Sequence, residues 1–400
     1  MNDTAASPPG GLSTAGNSVK LTDRLLSLDA YRGFIMAALI SNGLALGVFK
    51  EDPAWGWLAR QVDHVKWEGC VFWDLIQPAF MFMVGVAMPF AFAKRRAAGD
   101  SFRQMLGHAV WRAAGLLLLG MAITSISSGK ATIEFIRVLQ QIAIGYLAAF
   151  FLLDCKVWVQ AAAAGLILGG YTLAWFFYPG NGPEGPWAMT NANLGSDFDR
   201  WLIGRNYNGF YVGLNAIPAT ATILLGVLCG RLVGSGLSQG KVVRCLAFAA
   251  VGGIAAGWLL SMGENPVVPM IKRIWTASFA LFAGGWTVLL LFLFYWLIEV
   301  KGWRRWCTAL VVVGMNSIFA YSLSQLLRPW FDKSILVFSK PLVTALFDWP
   351  GAANAVKNAA AAPWPVAIGH AGHVVHAALV LAAQWGVLYW LYRRKIFFKL

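Results

Sequence analysis

The sequence predicts an all-α polytopic membrane protein with about ten transmembrane helices and with both termini in the cytoplasm. Of its 400 residues, 58% are hydrophobic and only 12% are charged, whereas a soluble domain carries about 25% charged residues. The mean hydropathy is +0.61. About ten apolar runs are long enough to cross roughly 30 Å of hydrocarbon as helices. These runs cover residues 33–49, 69–93, 110–127, 136–153, 157–178, 212–232, 245–262, 275–298, 308–327 and 374–392.

The distribution of basic residues orients these predicted spans. Short loops that carry Lys and Arg face the cytoplasm in multispanning proteins. With an even number of spans, most basic groups and both termini fall on one side, which we assign to the cytoplasm. Lys272 and Arg273 are the exceptions, since they fall on the outer side. The expected external loops are about 50–66, 179–210 and 329–373.

Composition also separates a tail from the membrane domain. Residues 1–20 are rich in Ser, Thr, Ala, Gly and Pro and are expected to form a disordered tail, so residues 21–400 make a single predicted membrane domain. The net charge of +14 comes from loops between spans and not from a basic soluble module, so we expect no nucleic-acid binding. The five cysteines occur singly, without a CxxC pattern, and we expect packing roles and no metal site.

The segment VDHVKWEGCVFWDLIQPAFMFMVGVAM organises the predicted site. It changes within a few residues from a polar loop end with His64 to an apolar run that still contains Asp74. A carboxylate inside an apolar span is costly unless it faces water or a partner, so Asp74 is a candidate functional residue. On a continuous helix, His64, Trp67 and Asp74 would lie close to one face, together with Pro78 and Gly85.

Asn42 adds a third polar group, within the first apolar run and past its midpoint toward the outer side. Its amide needs a partner or water. An imidazole that exchanges a proton near neutral pH, a buried carboxylate and a buried amide are together the groups of an acyl-transfer site. Structural alternatives stay open: Asn42 can join two helices, Asp74 can cap a neighbouring span, and His64 can be an ordinary interfacial residue.

Two further groups of residues suggest binding sites. Asp29 and Arg32 lie where the first run leaves the cytoplasm, and they form either a local ion pair or a contact with the phosphates of a cytosolic cofactor. The second expected external loop is rich in amides, acids and aromatic rings, which suit a sugar, although an ordinary polar loop explains it equally well. Lys272 suits an acidic glycan unless a span boundary is misplaced. The candidate acceptor-binding residues are Trp67, Lys272 and Trp275.

Nearly the whole chain from about Leu25 onward carries a series of distinctive blocks. In chain order they read LSLDAYRGFIM, ISNG, HVKWEGCVFWDLIQPAFMFMVGVAM, IRVLQQIAIGYLAA, IPATATILLGVLCG, IKRIWTASFALFAGGW, YWLIEVKGWRRW, VVGMNSIFAYSLS and LYWLYRRKIF. This set, in this order, resembles the heparan α-glucosaminide N-acetyltransferase family and its bacterial relatives, within the larger group of transmembrane acyltransferases.

The resemblance implies that an acetyl group from cytosolic acetyl-CoA is passed across the membrane to an amino sugar on the far side. By motif, the family's catalytic His falls on His64, its first-span Asn on Asn42, and the Asp of its DLIxPxFxF block on Asp74. His64 would act as a general base or carry the acetyl group as an acetyl-His intermediate, and the sequence does not choose between them. Asn42 would donate to the oxyanion, and Asp74 would orient the imidazole.

The resemblance also indicates the partners. Acetyl-CoA would enter from the cytoplasmic mouth as the acetyl donor, and the candidate residues for binding it are Asp29, Arg32, Arg112 and Arg231. The acceptor would be a glucosamine-type amino sugar or another envelope glycan, acetylated on nitrogen or on oxygen. The compact chain, without a large lumenal extension, indicates a bacterial relative, so we expect a multi-pass protein of the bacterial inner membrane.

Two alternatives remain at the level of sequence. A proton-coupled sugar or glycan transporter or flippase would use His64 and Asp74 as a proton relay, but we see no inverted internal repeat of the kind such folds contain. Glycines in the spans permit close helix packing, either within one protomer or between the protomers of a homodimer, and the sequence does not decide which.

Overall fold

The structure is a computed structural model that describes residues 19–346 and 364–398. The predicted disordered tail lies outside these ranges except for its last two residues. There, Lys20 forms an antiparallel bridge with Ser235, and the side chain of Val19 is buried. The fold therefore begins slightly before the predicted boundary.

The regular structure of the described ranges is helical, apart from two isolated β-bridges. This confirms the all-α prediction. The helices are α1 Leu26–Ser41, α2 Gly56–Gln61, α3 Phe72–Ala97, α4 Phe102–Ser128, α5 Val138–Leu152, α6 Val157–Phe176, α7 Leu194–Ile203, α8 Ala216–Val233, α9 Gln239–Leu260, α10 Ala277–Tyr295, α11 Thr308–Met315, α12 Ser317–Leu346, α13 Trp364–Ile368 and α14 His370–Arg393.

Eight helices of the described chain are long and apolar enough to cross a membrane, and a ninth span results if the bent pair of α11 and α12 is counted as one. The remaining predicted run, 136–153, forms α5, which has 15 residues and is shorter than a standard span. Each of the predicted runs therefore contains a helix, because a long apolar segment can satisfy its backbone in lipid only by internal hydrogen bonds.

The first span is broken within the predicted run 33–49. Helix α1 ends at Ser41, and the chain then takes left-handed φ angles of 50° at Asn42, 64° at Gly43, 49° at Leu44 and 56° at Ala45. It continues as a 3₁₀ turn to Phe49. For L-residues such as Leu44 and Ala45, this conformation costs about 1–2 kcal/mol each. Contacts elsewhere in the fold must therefore hold the break.

The ninth predicted run, 308–327, is also broken. The axes of α11 and α12 differ by 69° at Asn316, and α12 continues to Leu346. Residues 329–346 of the expected external loop 329–373 are therefore helical, and residues 347–363 of that loop lie outside the described ranges. The side chain of Asn316 compensates for the break, since it donates to the carbonyl of Ile396 at 3.0 Å and accepts from the amide of Phe398 at 3.0 Å.

Glycines bring the central helices together inside one protomer. A Cβ placed on Gly85 of α3 would lie 2.0 Å from the carbonyl oxygen of Ile223 in α8, and one on Gly33 of α1 would lie 1.8 Å from the carbonyl oxygen of Leu310 in α11. Only a glycine fits at such contacts. These glycines thus serve packing within the protomer, and α3, most of which is buried, becomes the centre of the bundle.

Candidate active site

The predicted His64–Asp74 pair exists, but with a different geometry from the expected one. Helix α3 begins at Phe72, so His64 and Trp67 lie on the preceding loop and not on the face of a continuous helix. The loop folds back, and His64 Nδ1 lies 2.7 Å from Asp74 Oδ1. The side chain of Asp74 is buried, whereas that of His64 is 42% exposed. The pair therefore connects the core to the surface.

Asp74 also fixes the start of α3. Its Oδ2 accepts a hydrogen bond from the amide of Val71 at 3.3 Å, and it lies 3.5 Å from the amide of Val65. A carboxylate in the first turn that bonds back to the cap residue satisfies an amide that has no helical partner. The same side chain thus positions the helix, the loop and the imidazole.

Lys272 is the third member of this cluster. Its side chain is buried, and its Nζ lies 3.3 Å from Asp74 Oδ1 and 3.3 Å from His64 Nδ1. Burial lowers the pKa of Lys272, while the Asp74 carboxylate acts in the opposite direction. The sequence led us to expect this lysine at an acidic acceptor. Its ammonium instead points inward to the carboxylate.

Two backbone contacts bring the Lys272 loop to the His64 loop. Glu68 and Ile271 form an antiparallel bridge, and the amide of Gly69 donates to the carbonyl of Met270 at 2.8 Å. Because residues 68–69 and 270–271 are paired, His64 and Lys272 approach the same carboxylate from two sides. We call His64, Asp74 and Lys272 the catalytic cluster, after the role that we propose for these residues below.

The hydrogen bonds leave one reactive atom of His64 free. Because Asp74 is an acceptor when ionised, it favours the imidazole tautomer with the proton on Nδ1. The lone pair then lies on Nε2, which has no hydrogen-bond partner among the described residues. A neutral imidazole oriented by a buried carboxylate can take a proton or attack a carbonyl carbon.

Asn42 lies at the break of the first span and is exposed, whereas the sequence led us to expect a buried amide. Its backbone amide donates to the carbonyl of Leu39, and its side-chain amide forms no hydrogen bond within the described chain. The next residue, Gly43, packs against Val62 of the His64 loop, since a Cβ on Gly43 would lie 2.8 Å from Val62 Cβ. The break therefore adjoins this loop, although no direct contact joins Asn42 to His64 in the described structure.

The two predicted acceptor-binding tryptophans lie in different surroundings. Trp67 is half-buried; its indole Nε1 donates to the carbonyl of Trp187 at 2.8 Å, and its ring contacts Phe210. It thereby connects the 179–210 loop to the His64 loop. Trp275 is fully buried against Phe279, and its indole is not accessible to a sugar in this structure.

A cavity of about 1120 Å³ occupies the other end of α3. It is bounded by the segment before α1, by α1, α3, α4, α5, α11 and α12, and by the end of α14 with the segment that follows it. Its lining contains seven Lys and Arg side chains but only two carboxylates, Asp23 and Asp29. The cations are Arg24, Arg32, Lys94, Arg95, Arg112, Arg393 and Lys395.

Three of the four predicted cofactor-binding residues line this cavity. Asp29 forms ion pairs with Arg24 at 3.1 Å and with Arg32 at 3.6 Å, so the local pair and the lining position occur together. Arg112 stacks over the ring of Tyr146 at 5.2 Å, and its buried Nε has no partner in the described chain. Arg231 does not line the cavity.

The guanidinium of Arg231 instead donates to the carbonyl of Cys155 at 2.5 Å, at a separate position in the fold. Sequence reasoning also missed five cations of the lining: Arg24, Lys94, Arg95, Arg393 and Lys395. All five belong to the basic residues that fall on one side of the predicted spans, and this pattern could have identified them.

The cavity ends before it reaches the catalytic cluster. On α3, its lining extends up to Phe80, six residues or about 9 Å along the helix axis from Asp74. On α1 it extends up to Ile35, seven residues or about 10 Å from Asn42. A molecule that enters at the basic mouth and reacts at His64 must therefore extend past the cavity by about two helical turns.

Comparison with known proteins identifies a distant relationship. No protein-family model matches the chain. The chain is a distant homologue of the heparan-alpha-glucosaminide N-acetyltransferase of Mus musculus, with 22% identity over 438 residues, covering 94% of this chain and 61% of the mouse protein. The protein of the same name from Homo sapiens is 22% identical over 440 residues, covering 95% of this chain and 60% of the human protein.

This homology confirms the resemblance seen in the sequence. The chain spans about three fifths of the length of these curated relatives. The homology and the helical architecture together make the protein a multi-pass membrane protein that is distantly related to an N-acetyltransferase.

Proposed function

We propose that this protein transfers an acetyl group from acetyl-CoA to an amino sugar or glycan on the opposite side of the membrane. The observation that carries the proposal is that one helix, α3, has a basic cavity at its C-terminal end and the catalytic cluster at its N-terminal end. A donor with several phosphates and a long arm needs the first site, and acyl transfer needs the second.

The cavity suits acetyl-CoA in both charge and polarity. The seven cations near its mouth can bind the phosphates of the nucleotide, and the free Nε of Arg112 is a donor still to be used. Deeper in the cavity the lining becomes apolar, with Ile35, Met83 and Leu116. That part suits the arm that ends in the thioester.

The reaction steps follow from the free atom of His64. The acceptor amine attacks the thioester carbonyl carbon while Nε2 takes the proton of the amine. The C–S bond breaks, and the CoA thiolate leaves and takes up the proton. Asp74 stabilises the imidazolium formed on His64, and the side-chain amide of Asn42 donates to the oxyanion before the C–S bond breaks. An acetyl group carried on Nε2 is the alternative route, with the same residues.

Lys272 sets the charge balance of this site. Asp74 already faces one ammonium, so a protonated His64 gives the cluster a net positive charge in a partly buried place. In this role Lys272 pairs with the Asp74 carboxylate and does not bind the acceptor.

The same geometry supports one orientation in the membrane. Residues near both ends of the described chain, Arg24 and Lys395, line the basic mouth. The positive-inside rule assigns a mouth rich in Lys and Arg to the cytoplasm, where acetyl-CoA is made available. This is consistent with ten spans, cytoplasmic termini and a place in a bacterial inner membrane, with His64 on the outer side.

The test is acetyl transfer from radiolabelled acetyl-CoA to glucosamine and to a panel of envelope glycans by the purified protein in detergent. We expect His64→Ala to abolish transfer while acetyl-CoA binding remains, and His373→Ala, at a histidine on α14 far along the chain, to retain it. If acetyl-CoA does not bind to the wild type, the acyltransferase proposal fails, and proton-coupled sugar uptake in vesicles becomes the assay for a transporter.

A further inference from the structure

The backbone around Asn42, at the break of the first span, is strained and needs contacts that hold it in place. Asn42 begins a run of four residues with left-handed φ angles, of which Leu44 and Ala45 have side chains that disfavour this conformation. Such a run persists only when its surroundings impose it. Since the side-chain amide of Asn42 has no hydrogen-bond partner in the described chain, its position depends on the ends of the break.

Arg328 of α12 binds one end of the break. Its Nη1 donates to the carbonyl oxygen of Ile40 at 3.0 Å, two residues before Asn42. The last carbonyls of a helix have no helical donor, and a cation at that end also interacts favourably with the helix dipole. The guanidinium therefore caps the C-terminal end of α1.

Arg328 is itself held in place. Its Nε lies 3.6 Å from Asp332 Oδ2, one turn further along α12, and its side chain is mostly buried. The backbone carbonyl of Asp332 in turn faces His376 Nε2 at 3.1 Å, on α14. Because the guanidinium is restrained by these contacts, it also restrains the carbonyl of Ile40 that it binds.

Other contacts restrain the break on its remaining sides. Gly43 packs against Val62, and the ring of Phe49 contacts the ring of His370 at a centroid distance of 5.0 Å. These contacts are apolar or aromatic and restrain the segment laterally. The hydrogen bond from Arg328 differs from these contacts, because it binds the backbone of α1 itself at Ile40, two residues before Asn42.

We propose that Arg328 is a positioning residue for acetyl transfer, which acts by capping α1 at Ile40 and so directing the Asn42 amide to the oxyanion. This inference rests on the proposed function. It concerns a residue that belongs neither to the catalytic cluster nor to the basic cavity. Removing the guanidinium releases the end of α1 and leaves the donor site unchanged.

A double-mutant cycle tests this coupling. The variants are R328Q, N42A and R328Q/N42A, with K333Q, at an exposed residue of the same helix, as the matched control. We expect R328Q to lower kcat by about 10-fold or more at an unchanged KM for acetyl-CoA, since small misplacements of catalytic groups have effects of this size. In the N42A background the same change should lower kcat by less than about 2-fold. R328K, which keeps one donor, should recover part of the loss.

Three results separate the possible failures. If R328Q lowers kcat by the same factor in both backgrounds, or not at all, Arg328 does not act through Asn42 and the inference is wrong. If N42A leaves transfer intact, the assigned role of Asn42 in the proposed function fails together with the coupling. Should R328Q not survive purification, R328K in the two backgrounds carries the same comparison, and an equal effect in both overturns the inference.

Discussion

His64 Nδ1 lies 2.7 Å from Asp74 Oδ1, and Lys272 Nζ lies 3.3 Å from the same oxygen. One buried carboxylate thus faces two groups that can carry a positive charge. This arrangement leaves Nε2 of the imidazole without a hydrogen-bond partner among the described residues, and it makes the stability of the site depend on the carboxylate. Function and stability can therefore be tested with the same residue.

Replacing Asp74 by Asn should reduce transfer without affecting the donor site. The amide no longer selects the Nδ1–H tautomer or stabilises the imidazolium, so we expect kcat to fall at least about 100-fold. Binding of acetyl-CoA should not change, because the cavity ends about 9 Å from Asp74. Steady-state kinetics and equilibrium binding of labelled acetyl-CoA measure the two effects. A loss of less than about 3-fold in kcat would contradict the role given to the carboxylate.

The same substitution should destabilise the fold through Lys272. Asp74→Asn leaves a buried ammonium without its anion, and breaking a buried ion pair in this way costs about 3–5 kcal/mol. Adding Lys272→Met should restore most of the thermal stability but none of the activity. Melting curves of the wild type, both single variants and the double variant check this. If the double variant melts no higher than Asp74→Asn, the two residues do not form the stabilising pair that the structure contains.

The architecture was largely predictable, because apolar runs of about 20 residues leave the backbone few alternatives to a helix in lipid. The breaks in the first and ninth spans were not predictable from the sequence. Leu44 and Ala45 are ordinary helix-forming residues, and their left-handed φ angles are imposed by contacts from elsewhere in the fold. The bend at Asn316 is likewise compensated by the C-terminal segment, which no local pattern reveals.

The candidate site was predictable by residue type and not by geometry. The cost of a carboxylate in an apolar run identified Asp74, but the helix-face argument placed His64 on the wrong element. Lys272 is 198 residues from Asp74 in sequence, so its contact could not be inferred. Cations that line the cavity and cations that bind elsewhere in the fold give the same sequence pattern, so the sequence does not distinguish Arg231 from Arg95.

Arg112 lines the cavity and Arg231 does not, so the two arginines give a matched pair of variants. Arg112→Gln should raise the KM for acetyl-CoA by about 10- to 100-fold with little change in kcat, since one charge-assisted hydrogen bond to a phosphate is lost. Arg231→Gln should leave KM unchanged, because Arg231 binds the carbonyl of Cys155 outside the cavity. Initial rates at varied acetyl-CoA concentration measure both. Equal effects of the two substitutions would show that general surface charge, and not the cavity, attracts the donor.

Asp199, on α7, should make stability depend on pH. Its side chain is buried and both its oxygens accept from the amide of Gly213, at 3.1 and 3.0 Å. Burial raises the pKa of Asp199 to about 6, with the Gly213 hydrogen bond acting in the opposite direction, whereas an unfolded chain has a pKa of about 3.9.

The native state therefore binds this proton more tightly than the unfolded state does. The contribution of Asp199 to stability is greatest below about pH 4 and declines as the pH rises to about 6; above that, the buried charge is a constant cost. Asp199→Asn keeps an acceptor for Gly213 and removes the charge. We expect it to stabilise the protein at pH 7.5 by on the order of 2 kcal/mol and to have little effect at pH 4. Thermal unfolding of both proteins in detergent between pH 4 and 8 measures this difference, and a gain that is the same at every pH would show that the carboxyl of Asp199 does not titrate in this range.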